Sequence, residues 1–572
     1  MDIIPKKRIA ILGGGPSGLF AYKRLVESGN NDFEIDIFER KSQLGAGMPY
    51  SAEGANDEHV TNVSDNEVPS IISAMAEWIH TAPESLLERF AIDPAKFNEY
   101  KVVPRLLFGT YLSAQFDLLQ KVGAAAGIIT RIHFESAVTD ISYDVKNTTA
   151  IIEVLDGSTK VFDYVIICTG HNWPKNHEGK VSGYFDAPYP PQKLALKLNH
   201  PVAIKGSSLT AIDAIRTLAR HNGTFERNAD GNLLYHLSAD SPEFRIMMHS
   251  RSGMLPAVRF HLDNSHLSND SLLTEEEIAA HRSSNGGFLS LDYLFEKDFK
   301  EIFREKDYEF YQRIKDFSIE DFVADMMELR ERLEPFQLLK AEFIQAEKSI
   351  KRQESIYWKE MLAVLSFAMN HPAKYLSAED MQRLQKVLMP LISIVIAFVP
   401  QKSCEELLAL HHSGILDLVP VGSDSTVEPQ KGGGILYNFT DDEDKAHSVY
   451  YKTFVDCVGQ PHLSYHDFPF KSLRSQKSIT PARLKFKSAE AGFAASVKDS
   501  ALIEKDAHGD YFLQVSGIAI NDNFQIIDQY GAYNKKVYIM AVPYIGGLNP
   551  DYSGLDFCEA ASLRIVNDIL EQ

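Results

Sequence analysis

Residues 8–18 read Arg8-Ile-Ala-Ile-Leu12-Gly13-Gly14-Gly15-Pro16-Ser17-Gly18, and this stretch decides the fold. A short apolar strand runs into a glycine turn. A helix follows, carrying Leu19, Tyr22, Leu25 and Val26 at helical spacing. A second strand, 33–38, ends at Glu39, twenty-one residues beyond Gly18. Strand, turn, helix, strand and terminal acid in this register make a dinucleotide-binding βαβ unit. Gly13 permits the tight turn, Gly15 lets the backbone approach a pyrophosphate, and Gly18 allows close helix–strand packing. The helix starts at Pro16, which has no N–H of its own, and from Ser17 on it offers free N–H groups and a positive partial charge to phosphates. Glu39 is placed to accept hydrogen bonds from an adenosine ribose, with Arg40 beside it.

Working outward, 150–155 alternates, turns at Asp156-Gly157 and returns through Lys160–Ile167 into Cys168-Thr169-Gly170. This hairpin delivers a strand to a turn at Thr169 and Gly170. A second strand–turn–helix begins at Pro201 with the pattern G-x-S-x-x-A, namely Gly206, Ser208 and Ala211, with Thr210 in its first helical turn. Its next strand, 245–249, ends at Ser250-Arg251 with no acid at the tip. An arginine there can bind a 2′-phosphate that an acid would repel, so the unit reads as NADPH-binding. The alternative is a degenerate nucleotide fold kept for packing. Later returns follow at 412–419, at Tyr450–Val458 with Cys457-Val458-Gly459, and at 536–541. The last of these leads through a loop containing Gly547 to Ser553 and a final helix, 555–570, for which Ser553 and Asp556 suggest a capping box.

With 572 residues the chain is long enough for several domains. Lys+Arg 58 against Asp+Glu 78 leaves a net charge of −20 with no basic tract, which argues against a nucleic-acid partner. The four cysteines, Cys168, Cys404, Cys457 and Cys558, lie far apart, so a disulfide framework, a cysteine zinc site or a local redox dithiol is not expected, and no metal site is. The start lacks a secretion signal, and the apolar run 387–399 is broken by Pro390 and too short for a membrane span. A cytoplasmic protein without membrane contact is expected; a homo-oligomer is left open. No internal repeat or low-complexity tract stands out.

Between 272 and 398 the periodicity turns helical. Ser318 starts a helix whose Ile319, Phe322, Val323, Met326 and Leu333 share a face, with Pro335 ending it, and Ser377 starts another. The expected class is α/β, two Rossmann-like dinucleotide-binding domains (FAD and NADPH) with a helical insertion. The expected division is 1–185 plus 475–572, 186–265 plus 403–474, and the insertion 266–402.

Leu44-Gly-Ala-Gly47-Met-Pro-Tyr50, His59-Val-Thr-Asn62, Val103-Pro104-Arg105 and Ser250-Arg-Ser-Gly253-Met-Leu-Pro256, with the motifs above, resemble the FAD/NAD(P)-binding oxidoreductase family. That family of two-dinucleotide flavoproteins includes amino-acid N-hydroxylating enzymes such as aspartate N-monooxygenase. The similarity covers the two nucleotide domains and leaves the helical insertion unmatched. The Gly206-Ser-Ser turn departs from the glycine-rich family pattern. The resemblance implies FAD on the first unit, with Thr169-Gly170 near it and the Pro543–Gly554 loop, Gly547 and Ser553 included, passing the flavin ring. It also implies a chemistry in which NADPH reduces FAD, O₂ attacks the reduced flavin, and a peroxyflavin oxygenates a small polar substrate, with an amino-acid amine as the substrate type. Tyr50, His59, Asn62 and Arg105 are the candidate catalytic residues near the flavin, because they follow the first βαβ unit. Arg105 could hold a substrate carboxylate or the cofactor, and His59 could shuttle a proton. Their structural alternatives are a salt bridge and a satisfied loop histidine. Two other functions fit the same residues: an FAD-dependent NAD(P)H reductase or dehydrogenase without oxygen insertion, and a non-catalytic flavin sensor with a partner-binding helical block.

Overall fold

Ile9, Ala10, Ile11 and Leu12 are all buried, as a strand covered by helices on both faces requires. The computed structural model describes residues 6–262, 272–441, 443–549 and 552–572. Strand Lys7–Leu12 pairs in parallel with Phe33–Phe38 on one side, Leu12 opposite Phe38, and with Tyr164–Ile167 on the other, Leu12 opposite Ile167. The full order is Gln525–Ile527, Tyr533–Ile539, Tyr164–Ile167, Lys7–Leu12, Phe33–Phe38, Ile129–His133. Connections leave the central strand toward opposite sides, so a crevice opens at its carboxyl end, where open α/β sheets bind ligands. Helix Pro16–Glu27 packs against the last helix, Gly554–Glu571, and the Lys23 ammonium donates to both oxygens of Glu559 at 3.1 Å.

A second, all-parallel sheet runs Tyr184–Phe185, Thr453–Asp456, Pro201–Lys205, Arg245–Ser250, Leu416–Pro420. It repeats the first around its own central strand. The Gly13 N–H donates to Phe38 O at 2.8 Å, and the Gly206 N–H to His249 O at 2.8 Å. Cys168 N–H donates to Leu12 O at 2.9 Å, and Cys457 N–H to Lys205 O at 2.8 Å. The repeat lies in backbone bonds, which sequence identity need not preserve.

Two boundaries differ from expectation. Tyr184–Phe185, the end of the expected 1–185 segment, pairs with Phe454–Val455 in the second sheet. A two-residue strand leaves no periodic signature. The single strand expected over 450–458 is two, Ala446–Tyr451 in an antiparallel side sheet and Thr453–Asp456 in the parallel one. The chain changes sheets at Lys452. The boundary expected at 265/266 lies outside the described residues.

Residues 275–395 are helical, with π-helical turns at Glu296–Lys300 and Leu384–Leu388. Helix Ile319–Arg332 starts on a capping box in which Ser318 Oγ accepts the Asp321 N–H at 3.1 Å, and it buries Ile319 and Phe322. Leu333 is exposed. Pro335 does not end this helix but opens the next, Pro335–Arg352, at its first position, where a preset φ and a missing N–H cost nothing.

Candidate functional site

The first glycine turn is set by backbone contact. Gly13 has φ +109°, and a Cβ there would lie 2.5 Å from Cys168 O. A Cβ on Gly18 would lie 2.0 Å from Gly13 O, so only glycine lets the helix start so close to the strand. A Cβ on Gly15 would come 3.1 Å from Gly47 Cα, narrowing the passage between the two turns. The helix begins with Gly15 as N-cap and Pro16 at its first position, without a side-chain cap, so its first N–H groups face the crevice. Glu39 is buried. Its Oε2 accepts the Gly14 N–H at 2.8 Å and its Oε1 the Lys41 N–H at 3.0 Å, which fixes the carboxylate at the strand tip.

A cleft of about 620 Å³ runs along this turn. Glu39, Arg40, Lys41 and Ser136–Val138 line one end. Gly13, Gly15, Pro16, Ser17, Thr169 and Gly170 line the middle. Tyr50, His171, Phe470, Tyr544 and Ser553–Leu555 line the far end. Thr169 Oγ1 and His171 Nδ1 are buried with no protein partner, and both residues line this cleft. An unpaired buried polar atom is costly, so two of them along an extended cleft call for a polar ligand. Narrow glycine passage, uncapped helix start, acid at one end and orphaned polar atoms together fit an extended dinucleotide. Gly18, below the turn, acts through packing and does not line the cleft.

The four residues expected to be catalytic separate. Tyr50 lines the cleft, its ring edge-on to Phe108 at 4.9 Å, and burial, against the nearby Arg105, pushes its phenol up to about 12. Asn62 is exposed and away from the cleft lining. His59 is fully buried: Nδ1 accepts the Asn56 N–H at 2.9 Å, and Nε2 lies 3.1 Å from Asp213 O. Burial pulls its pKa down, which keeps it neutral. Arg105 donates through Nη1 to Asp213 Oδ2 at 2.6 Å, and the Tyr189 hydroxyl donates to the same oxygen at 2.7 Å. Burial works against both charges, but each ion holds the other charged: Asp213 stays below the usual carboxylate range and Arg105 above the usual guanidinium one. The expected roles for Arg105 and His59 as carboxylate clamp and proton shuttle therefore fail. Asp213, on helix Leu209–Asn222 of the second sheet, takes up the guanidinium. This cluster ties the two nucleotide units together, and sequence could not supply Asp213, 108 residues away.

The second turn copies the first in outline. Gly206 has φ +110°, and its Cβ would lie 2.8 Å from Cys457 O. Ser208 is the N-cap of helix Leu209–Asn222, in Gly15's place, and makes no side-chain cap; Thr210 sits in the first turn. Ser250 is buried, and its hydroxyl accepts from Ser207 Oγ at 3.2 Å. Arg251 is exposed at the strand tip. The chain crosses between units at Asn172 and again at Gln460, and the crossings are pinned: Asn172 N–H donates to Gln460 Oε1 at 2.8 Å, and Gln460 Nε2 to Asn172 O at 2.9 Å.

The terminal loop meets the cleft at its two ends and not at Gly547. Gly547 does not line the cleft; its Cβ would lie 1.9 Å from Ser516 O, so it serves close backbone packing. The cleft is met instead by Val542–Tyr544 before it and Ser553–Leu555 after it. Ser553 is the N-cap of helix Gly554–Glu571 but makes no side-chain bond, so the capping box with Asp556 does not form. Asp556 Oδ1 is buried without a partner; burial, with Glu67 and Glu559 adding to it, pushes this carboxyl up to about 7.

Sequence reading passed over Lys41, Gly47, Ser136–Val138, Phe470, Val542 and Cys558, all on the cleft. Gly47 carried a signal, since its Cβ would lie 2.8 Å from Pro16 Cδ, a close approach inside a quoted motif. The others are apolar or loop residues brought in from distant segments. All four cysteines are free and buried, and burial raises the Cys168 and Cys558 thiols, the latter to about 12. Among the described residues, no group of His, Cys, Asp or Glu is placed to hold a metal ion, and no helix is long and apolar enough to cross a membrane.

Two family models match the chain: FAD-NAD(P)-binding over residues 10–172, and the YdhS-like middle domain over residues 274–396. The chain is 26% identical over 480 residues to the uncharacterized protein YdhS of Escherichia coli, covering 83% of this chain and 87% of that one. It is 31% identical over 174 residues to the thiol-specific monooxygenase of Saccharomyces cerevisiae, covering 30% of this chain and 35% of that one. Among solved structures it aligns with the ornithine N-hydroxylase of Kutzneria sp. 744 at TM-score 0.46 and 12% identity, covering 99% of both chains. The matched FAD-NAD(P)-binding segment holds the glycine turn, Glu39 and the Thr169-Gly170 return, and the second matched segment is the helical insertion. Residues 10–172 thus match an FAD-NAD(P)-binding domain, and the YdhS-like middle domain lies between strands Arg245–Ser250 and Leu416–Pro420 of the second sheet.

Proposed function

We propose that this protein is an FAD-dependent, NADPH-consuming monooxygenase that acts on a small polar substrate, an amino-acid amine in the first instance. The observation that carries the reading is the continuous cleft from Glu39 past the glycine turn to the start of the last helix, with orphaned Thr169 Oγ1 and His171 Nδ1 along it. Gly13, Gly15, Pro16 and Ser17 would hold the pyrophosphate, Glu39 and Arg40 the adenosine side, and Thr169 and His171 the middle and flavin end. Bound FAD supplies redox chemistry with a pyridine nucleotide and O₂ that no side chain here can perform.

The protein's part is orientation, exclusion of water and charge. The apolar far end, with Phe470, Val542, Leu555 and Phe557, limits solvent access. The uncapped start of helix Gly554–Glu571 presents N–H groups to charge that develops beside it. Burial keeps Tyr50 protonated, so its hydroxyl can donate but not act as a base near neutral pH. Burial keeps the Cys168 and Cys558 thiols protonated too, and a thiol is a poor nucleophile, which supports oxygen transfer over disulfide reduction. Arg251 would take the 2′-phosphate of NADPH. The test follows NADPH oxidation and O₂ uptake over a panel of amines and amino acids, with peroxide and oxygenated product measured separately. Substrate-dependent product supports the proposal. NADPH oxidation that ends as peroxide with every amine overturns it in favour of a reductase.

A further inference from the structure

The middle domain meets the first nucleotide unit along a polar seam away from the nucleotide-cleft lining. Arg282, Asn370, His371, Lys374 and Tyr375 come from the helical side, and Asp522, Tyr552 and Arg564 from the other. The seam is continuous with the terminal loop, because Asn549 Nδ2 donates to the carbonyls of Met369 and Asn370. Three residues later the same loop reaches Tyr552, next to the cleft-lining Ser553.

The cations of the seam are better buried than the carboxylates that face them. The Lys374 side chain is 7% exposed, whereas its partner Asp522, 2.7 Å away, is 52% exposed. Arg564 pairs with Glu275, whose side chain is 67% exposed. The carboxylates thus stand in water at the rim, where ion pairs are weak, and the cations lie behind them. Arg282 has no carboxylate partner among the described residues; its guanidinium lies 3.5 Å over the Tyr375 ring. Burial, with Lys374, Arg564 and Arg282 facing it and Asp522 opposing, pushes His371 down, so the imidazole adds no charge.

Three buried polar atoms here have no partner: Tyr552 Oη, His371 Nδ1 and Asn370 Oδ1. Tyr552 is 3% exposed, and Arg564, Asp522 and Tyr375 are its charged and polar neighbours. Such orphans cost free energy unless a ligand satisfies them. The set is two-sided. Two guanidinium groups, an ammonium and a hydroxyl suit a carboxylate, whereas the Asn370 oxygen asks for an N–H donor beside it.

We propose that this seam, built from Arg282, Lys374, Arg564, Tyr552, His371 and Asn370, binds a small α-amino acid, its carboxylate on the cations and Tyr552 and its ammonium on Asn370. The assignment does not rest on the oxygenase reading, and the test reads binding without turnover. Full-length protein, as purified and without NADPH, is titrated calorimetrically with each common amino acid, and with succinate and inorganic phosphate at matched ionic strength.

At least one amino acid should bind saturably and more tightly than succinate or phosphate. Tyr552→Phe and Arg564→Gln should each weaken it at least tenfold, about 1.4 kcal/mol. Tyr552→Phe removes a hydroxyl that has no protein partner, so a purely structural tyrosine would leave folding intact and binding unmoved. Thermal melts and flavin content of the variant check that folding. No saturable amino-acid binding up to millimolar concentrations overturns the proposal. So does phosphate or succinate binding as tightly as any amino acid, or unchanged affinity in both variants.

Discussion

Replacing Asp556 with asparagine should make the protein's stability less sensitive to rising pH. Asp556 sits in the first turn of the last helix, Oδ1 buried and unpaired, its carboxyl pushed up to about 7 from an ordinary 3.8 by burial and then by Glu67 and Glu559. A helix N-terminus ordinarily favours an ionised acid, and here the lack of a cap bond leaves that benefit unused. For an acid with a raised folded-state pKa, the neutral form is the one the fold prefers. Its contribution is complete below pH 3.8 and is lost progressively as pH climbs through about 7. The gap between 3.8 and about 7, at about 1.36 kcal/mol per pH unit, bounds the total loss at roughly 4 kcal/mol. Of this, roughly 2–3 kcal/mol falls between about pH 5 and pH 8. Asp556→Asn keeps the shape and removes the titration. Its stability relative to wild type should therefore improve by up to that amount over the interval, as read from urea denaturation followed by tryptophan fluorescence at several pH values. A difference between the two proteins that stays flat with pH, or grows toward acid, would refute the assignment of a protonated, unpaired Asp556.

Gly15→Val should yield colourless protein, because even a Cβ there would meet Gly47 Cα at 3.1 Å and a larger side chain would block the passage; full flavin absorbance on purification would count against the pyrophosphate turn. Arg251→Ala should raise the Michaelis constant for NADPH far more than for NADH, and equal increases would remove Arg251 from the 2′-phosphate. Arg105→Met leaves the Asp213 carboxylate buried without its cation and should destabilise the protein by roughly 3–5 kcal/mol in urea melts. A loss under roughly 1 kcal/mol would show that the pair does not lock the two units together.

The first βαβ unit was legible because its determinants are local. Gly13, Gly15, Gly18 and Glu39 lie within one crossover, and each is needed where the backbone itself must turn, approach or pack. The second turn was legible for the same reason despite its serines, since Gly206 carries the positive φ and the rest is a matter of small size. The helix start at Ser318 was equally plain, its capping partner being three residues away.

Pairings between distant segments were not legible. Arg105 and His59 look like site residues in sequence, and only the approach of helix Leu209–Asn222 gives the guanidinium to Asp213 and seals the imidazole. Gly547 reads as a flavin loop until Ser516 arrives beside it, and Tyr552, Arg282 and Lys374 share a seam only because an inserted domain folds back on the first. Sequence by itself determined the elements whose causes lie within a few residues: turns, caps and buried strands. Tertiary structure alone decided which charges face each other and which polar atoms are left unpaired, because electrostatics and desolvation depend on distance through space and not along the chain.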